Sequence, residues 1–343
     1  MGEVTATGRD RSPWADLARV LAILGVVVIH SSGLQFIRYP VLPQADWAGV
    51  VLLDALARCS VPLFAMISGA LILKPGAEAV TLRYVARRVT RVFIPLATWG
   101  IFYLLYLSYN SGKSPHWRSV FTEPPMYHLW FAYMIIGLYL ILPVLDAVFQ
   151  YLLGRRSLQW YLLALWVVVT SVTAYVSIPL LGVMQLTSML GYGGYFVMGG
   201  IIAASGRGKT PTNLWWVIYL IGAAVTTLLT VYFTEQAGVA NEFARAYFTP
   251  NVFVTAFAAF VLLTRARLGA TATRVFAWAS DLAFMVFFMH VLFLERVASL
   301  LAPLATYIPA TAIAVLASMT TFAVCLAIAA ALRFLPWSKR VLG

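Results

Sequence analysis

Long apolar stretches, separated by short polar or basic breaks, decide what this chain can fold into. We count ten, over residues 14–33, 48–73, 92–109, 127–148, 158–178, 189–205, 214–233, 248–264, 278–301 and 308–332. A helix needs about 20 apolar residues to cross a bilayer. Because 62% of the residues are hydrophobic and only 10% are charged, a water-soluble globule cannot bury them. We therefore predict an all-α, polytopic transmembrane helix bundle of about ten spans, forming a single membrane domain over residues 1–343.

The basic residues predict the orientation of this bundle. Most of the 24 Lys and Arg residues fall in the breaks on one side of the predicted membrane. Since cytoplasmic loops are enriched in Lys and Arg, we predict that both termini are cytoplasmic. The net charge of +12 then follows mainly from topology and does not indicate nucleic-acid binding. The first stretch lacks a signal-peptide cleavage pattern, so we interpret it as a retained helix.

The first span contains the most informative polar residues. Arg19 and His30 are eleven residues apart, which is three helical turns plus about 20°, so they lie on one stripe about 16 Å apart. Asp16 lies one turn before Arg19 and is expected to pair with it. Charged groups inside a bilayer usually face a cavity or a partner. The alternative is a snorkelling Asp–Arg pair and a histidine that only bonds a neighbouring helix.

The ninth span carries a second histidine at a similar depth. His290 lies about 18 Å from the cytoplasmic start of its span, so it can meet His30 in one cavity. Glu295 and Arg296 are expected to be interface anchors. Asp281, with Ser280, is expected to cap the start of this helix.

The second span pairs an acid and a base in mid-membrane. Asp54 and Arg58 are one turn apart and form either a structural ion pair or part of a pathway. Pro62 interrupts the hydrogen-bond ladder, and Ser68 with Gly69 allows close approach of another helix or a ligand. We predict a broken helix beside a cavity.

A basic stripe follows on the predicted cytoplasmic side. Arg83, Arg87 and Arg91 recur every four residues on one helix face, and Arg88 flanks them. Topology alone can explain these charges. Guanidinium groups also bind phosphate oxygens bidentately, so the stripe suits a phosphate-rich ligand.

Two further segments have structural explanations of their own. His128 and Trp130 begin the fourth span at the outer interface, where aromatic anchors are common. The glycines of GYGGYFVMGG, with Tyr192 and Tyr195, favour close helix packing over a cofactor site. Cys59 and Cys325 lie in different spans without metal-ligand spacing, and we predict no bound metal.

In this order, the motifs resemble those of the acyltransferase-3 family of integral membrane O-acyltransferases, in the short form without an appended soluble domain. The matching residues are Arg19 and His30; Phe64, Ser68 and Gly69; Arg88, Arg91 and Pro95; His128 and Trp130; and His290. The family often has a tyrosine in the late motif where this chain has Phe287 or Phe288.

The resemblance implies transfer of an acyl group, expected to be acetyl, from acyl-CoA to a hydroxyl of an envelope glycan or lipid-linked sugar. It also implies a multi-pass protein of the bacterial inner membrane, with acetyl-CoA as co-substrate and no tightly bound cofactor. His30 is then the candidate general base or transient acyl carrier, assisted by Arg19 and His290. The donor-side candidates are Arg83, Arg87, Arg88, Arg91, Ser68 and Gly69, and the acceptor-side candidates are His128, Trp130 and Arg58. A proton-coupled transporter is the alternative, because buried His, Arg and Asp would also suit it.

Overall fold

The computed structural model describes residues 11–112, 114–115, 117, 124–175, 186–206 and 208–343, without the side chains of 173–175 and 186–190. Every regular element in these ranges is helical, which confirms the predicted all-α bundle. The helices are α1 Pro13–Phe36, α2 Gln44–Ala57, α3 Ser60–Ile72, α4 Leu82–Ser111, α5 Trp130–Leu140, α6 Leu142–Leu152, α7 Arg156–Tyr175, α8 Leu186–Ala204, α9 Thr212–Ala237, α10 Pro250–Arg265, α11 Ala270–Leu301, α12 Ala310–Leu332 and α13 Ser338–Val341.

Within the described ranges, seven helical segments are long and apolar enough to cross a membrane. An eighth is the pair α5 and α6, which is bent by 64° at a short break. The fifth and sixth predicted spans correspond to α7 and α8, whose described apolar parts are shorter. The end of the fifth predicted span, residues 176–178, lies outside the described residues. The protein is therefore a polytopic membrane bundle.

The second span is broken, as predicted, but not at the proline. α2 ends at Ala57 and α3 begins at Ser60, so the break lies at Arg58 and Cys59. Pro62 lies in the first turn of α3, where a helix has no partner for the missing N–H in any case. The break places the Arg58 side chain at the junction of the two helices.

The first helix lies at the centre of the bundle and packs against α2, α3, α11 and α12. α1 and α11 run in the same direction. The two contacts that show this are the bond from the Arg19 guanidinium to Ser280 and, further along both helices, the contact between the His30 and His290 rings. The predicted cap at Asp281 and Ser280 is wrong. α11 begins at Ala270, so both residues are inside the helix, and Asp281 instead pairs with Arg11 and Arg333.

Close helix packing explains two of the glycine positions. A Cβ atom on Gly69 of α3 would lie 1.7 Å from the Phe196 carbonyl oxygen of α8. A Cβ atom on Gly199 of α8 would lie 2.1 Å from the Met66 carbonyl oxygen of α3. The two backbones touch at these positions, which only glycine permits. The interpretation of GYGGYFVMGG as a packing motif agrees with this contact.

Candidate active site

Three histidines meet in the interior of the bundle. The ring centroids of His30 and His290 are 5.2 Å apart, and those of His128 and His290 are 5.0 Å apart. The rings come from α1, from α11 and from the one-turn 3₁₀ helix Tyr127–Leu129 that leads into α5. His128 and His290 are fully buried, and His30 is half-buried. The His30 ring therefore lies against other side chains of the bundle, those of His290 and Tyr127.

The hydrogen bonds of the cluster define which nitrogen atoms can react. His290 Nδ1 lies 2.7 Å from the Phe287 carbonyl oxygen, so in a neutral ring this nitrogen donates the hydrogen bond. The same tautomer leaves a lone pair on His290 Nε2. His290 Nε2 and both ring nitrogens of His128 are buried without a hydrogen-bond partner among the described residues. Buried polar atoms are rarely left unpaired, so these nitrogens define a place for a polar ligand or water.

Aromatic rings surround the histidines. Tyr127 lies 5.1 Å from His30 between ring centroids, and Tyr103 lies 5.4 Å from His128. Phe287 lies 5.6 Å from His128 between ring centroids. Tyr103 donates its hydroxyl to the Phe288 carbonyl oxygen over 2.7 Å. The reactive nitrogens are thus held in a mainly apolar shell that limits access of water.

The predicted Asp16–Arg19 pair is present at the other end of the α1 stripe. Arg19 Nη1 lies 3.3 Å from Asp16 Oδ1 and 3.4 Å from Ser280 Oγ. Arg11 shares the same carboxylate, with its Nε 2.7 Å from Asp16 Oδ2. Arg11 precedes the first membrane-spanning helix, and its hydrogen bond to Asp16 raises the pKa of its guanidinium group. Three guanidinium groups, those of Arg11, Arg19 and Arg333, share the two carboxylates of Asp16 and Asp281, so the region keeps a net positive charge.

The basic stripe lies on the first turns of α4. Arg83, Arg87 and Arg91 are exposed, so their guanidinium groups can reach a ligand in solution. Arg88 is half-buried and donates to the Tyr84 hydroxyl, with Nη2 at 2.6 Å. The stripe therefore has three exposed cations and one that is held by a hydrogen bond to a tyrosine.

A tyrosine that the sequence did not single out connects several of the candidates. Tyr139 of α5 is buried, and Ser68 of α3 lies near its phenol. Arg88 and Arg19 are close enough to act on this phenol electrostatically. Tyr139 therefore lies in the same region as candidates on α3, α4 and α1.

The mid-membrane pair of the second span is an ion pair. Arg58 Nη2 lies 2.7 Å and Nε 2.9 Å from the two carboxylate oxygens of Asp54. Ser32 donates to Asp54 as well, over 3.2 Å. A second buried arginine, Arg245, places its Nε 3.8 Å from Asp54. The pair is thus part of a larger polar cluster that joins α1, the α2–α3 break and the residues before α10.

The acceptor-side candidates lie in two adjoining places. His128 belongs to the histidine cluster, whereas Trp130 packs against Tyr192 and Tyr247 with ring centroids 5.7 and 6.2 Å away. Arg58 lies over the Tyr247 ring, 5.4 Å from its centroid. Aromatic faces beside a guanidinium can stack against a sugar ring and hold its polar groups. Gly69 differs from the other candidates, because its surface is occupied by α8.

The residues found only from the structure are Tyr103, Tyr127, Tyr139, Arg245 and Tyr247. Tyr127 had a signal, since it directly precedes the His128 motif in the sequence. Tyr103, Tyr139 and Tyr247 are ordinary aromatic residues of apolar segments, and the sequence alone does not separate them from packing residues. In the part of the chain that the structure describes, no group of three or more His, Cys, Asp or Glu side chains is arranged to hold a metal ion.

Comparison with known proteins adds a family assignment. The family model for the acyltransferase domain of the acyltransferase-3 type matches residues 12–330. The match covers nearly the whole chain and includes every candidate residue described above. No curated protein and no solved structure matches the chain.

Proposed function

The chain belongs to the acyltransferase-3 family of membrane acyltransferases, and from this premise we propose that it transfers an acyl group from acyl-CoA to a hydroxyl of an envelope glycan or lipid-linked sugar. Acetyl is the expected group and the bacterial inner membrane the expected location. The family membership favours this activity over the proton-coupled transporter that buried polar residues alone would also suit. The observation that carries the chemistry is the cluster of His30, His128 and His290 in the interior of the bundle.

The proposed reaction needs a base and a place for the acceptor hydroxyl. A neutral imidazole has a nitrogen lone pair that accepts a proton, so His30 can remove the hydroxyl proton as the oxygen attacks the thioester carbon. The carbon–sulfur bond then breaks, the ester bond forms, and the proton passes to the departing thiolate of coenzyme A. A transient acyl-His30 is the two-step variant of the same transfer.

The neighbouring groups have supporting roles in this proposal. His290 is fixed by the Phe287 carbonyl and presents Nε2 to the cluster, where it can orient the acceptor or polarise His30. His128 lies on the other side of His290 and gives the acceptor a second polar contact. Trp130 and Arg58 extend the acceptor side towards Tyr247.

The donor side of the proposal rests on the arginines. Coenzyme A carries several phosphates, and the exposed Arg83, Arg87 and Arg91 can bind them by charge-assisted hydrogen bonds. Arg19 and Ser68, near Tyr139, then line the route of the acyl arm towards the histidines. This places nucleotide and acyl group at opposite ends of one track.

The test is replacement of His30 by Gln in the full chain reconstituted in liposomes. We expect coenzyme A release in the presence of acetyl-CoA and an envelope glycan extract to fall by at least about 100-fold, the range lost with a general base. Ser31→Ala is the matched control, because its side chain points to the Ala314 carbonyl on α12. Normal turnover in His30→Gln, with normal membrane insertion, would falsify the assignment of the base.

The acceptor class has its own test. Mass analysis of the envelope glycans of a deletion strain should show the loss of one acyl substituent, which the wild-type gene restores. Restoration by His30→Gln would contradict the proposal. Unchanged glycans together with substrate flux across liposome membranes would instead indicate the transporter.

A further inference from the structure

A cavity lies away from the histidine cluster. Its volume is about 800 Å³, and its walls come from α6, α7, α8, α9 and α10. Ligand sites in proteins have about 300–1,000 Å³, so the cavity is large enough for a sizeable molecule. None of the residues proposed for acyl transfer lines it. The cavity is therefore distinct from the proposed acyl-transfer site.

The cavity has an apolar interior and a basic rim. Leu145, Trp166, Val197 and Phe257 line the interior. The rim contains Arg156, Gln159, Ser205, Thr210 and Arg265, and the lining includes no carboxylate. Such a distribution matches an amphiphile with a hydrocarbon part and an anionic head group.

The depth of the cavity matches one leaflet of a bilayer. Arg156 at the rim and Trp166 in the interior are ten residues apart on α7, which corresponds to about 15 Å. The hydrocarbon core of a bilayer is about 30 Å thick, so one leaflet contributes about 15 Å. The rim lies where α7 begins and α10 ends, on the side that the basic residues assign to the cytoplasm.

The rim has the groups that hold a lipid head group at an interface. Arg265 donates Nη1 to the Thr210 carbonyl over 2.5 Å, which fixes its guanidinium at the rim. Arg156 is exposed and can turn towards a bound phosphate. The Trp215 Nε1 atom is buried without a hydrogen-bond partner in the described ranges, so an N–H donor is also available in the lining. Basic pockets between transmembrane helices on the cytoplasmic side are suited to anionic phospholipids.

We propose that this cavity binds an anionic phospholipid of the cytoplasmic leaflet. Its phosphate lies between Arg156 and Arg265, and an acyl chain fills the space between α7, α8 and α10. This binding is independent of the proposed acyl transfer and does not depend on its correctness.

The charge part of the proposal is tested with the full chain purified in neutral detergent. Native mass spectrometry after addition of phosphatidylglycerol or phosphatidylcholine measures the bound lipid. We expect one phosphatidylglycerol to be retained in preference to phosphatidylcholine. Each arginine near a membrane surface contributes about fivefold to anionic lipid binding, so Arg156→Gln and Arg265→Gln should each weaken retention by about that factor. Arg155→Gln and Arg267→Gln are the controls, because neither residue lines the cavity.

The steric part uses a residue in the wall. Ile201→Trp fills the cavity and should remove the preferred phosphatidylglycerol, whereas Leu220→Trp on the exposed face of α9 should not. Equal retention of the two lipids by the wild-type protein overturns the proposal, even if a variant fails to fold. Loss of binding in the controls to the same extent, or displacement of the lipid by coenzyme A in an Arg156-dependent way, also overturns it. The last result would make the cavity a nucleotide site.

Discussion

At the scale of single residues, the histidine cluster and the arginine stripe have different roles in the proposed reaction. The histidines carry out the chemical step, and the arginines bind the donor. The histidine nitrogens lie in an apolar shell, where a hydrogen bond to a reacting group is stronger than in water. The stripe residues are exposed, where each charge contributes little alone but several act together. Substitutions in the two places should therefore have different kinetic effects.

Arg87→Gln tests the binding role of the stripe. Because the guanidinium would contact the coenzyme in both the ground state and the transition state, we expect KM for acetyl-CoA to rise about five- to tenfold while kcat stays nearly constant. The measurement is coenzyme A release at varied acetyl-CoA. Arg267→Gln, an exposed arginine beyond the end of α10, should leave KM unchanged. A fall in kcat alone would contradict the binding role.

We expect the buried Asp54–Arg58 pair to stabilise the folded protein. Asp54→Asn leaves the buried Arg58 and Arg245 without their carboxylate, and loss of one partner of a buried pair costs about 3–5 kcal/mol. We expect a clear fall in the thermal unfolding temperature of the detergent-purified protein. Asp46→Asn, whose carboxylate bonds the first amides of α12 near the surface, is the comparison and should cost less. An unchanged unfolding temperature in Asp54→Asn would show that the pair is not structural.

At the scale of elements, the crossing of α3 and α8 separates the roles of two neighbouring residues. Gly69 occupies the contact with α8, because a Cβ atom there would meet the Phe196 carbonyl oxygen. Ser68 precedes it on α3, is half-buried and lies near Tyr139 of α5. The sequence allowed close approach of either a helix or a ligand at this pair, and the structure assigns the helix contact to Gly69.

Gly69→Ala tests this crossing. The added Cβ atom would lie 1.7 Å from the Phe196 carbonyl oxygen, so the helices must separate, at a cost of about 1–3 kcal/mol or more. Gly33→Ala, in α1, is a matched control because no atom lies within 4 Å of its added Cβ. That control should be neutral or slightly stabilising. Thermal unfolding of the two variants checks the difference, and equal behaviour would argue against a tight crossing.

At the scale of the whole molecule, orientation connects the reaction to the two compartments. If the termini are cytoplasmic, as the positive-inside rule predicts, the arginine stripe would face the cytosol, where the proposed acyl-CoA donor is found, and the histidines would lie deeper in the membrane. Donor and acceptor would then approach the histidines from different sides. This arrangement depends on the positive-inside assignment.

Cysteine labelling tests the orientation. A cysteine at Lys339 should react with a membrane-impermeant maleimide only after the cells are permeabilised, whereas one at Val41, an exposed position between α1 and α2, should react in intact cells. The native Cys59 and Cys325 are buried, so they give little background. The reverse labelling pattern would invert the topology and move the stripe away from the cytosol.

The sequence by itself determined the bundle, the helical stripes and the residues that are polar where lipid should exclude them. These properties follow from local periodicity and from the cost of burying charge, both of which can be read along one segment. The Asp16–Arg19 and Asp54–Arg58 pairs were predictable for the same reason, since each lies within one turn.

The matched depths of His30 and His290 predicted that these two residues could meet, and they do, but the tertiary structure decided the other contacts between segments. His128 was expected at an interface, yet it lies against His290, because the 3₁₀ turn before α5 directs it inwards. The sequence did not indicate a role for Tyr139 or Arg245, because their partners belong to other helices. The same holds for the position of Asp281 within α11. Contacts between distant segments depend on how helix surfaces fit together, and that fit is a property of the assembled bundle, not of any one stretch of sequence.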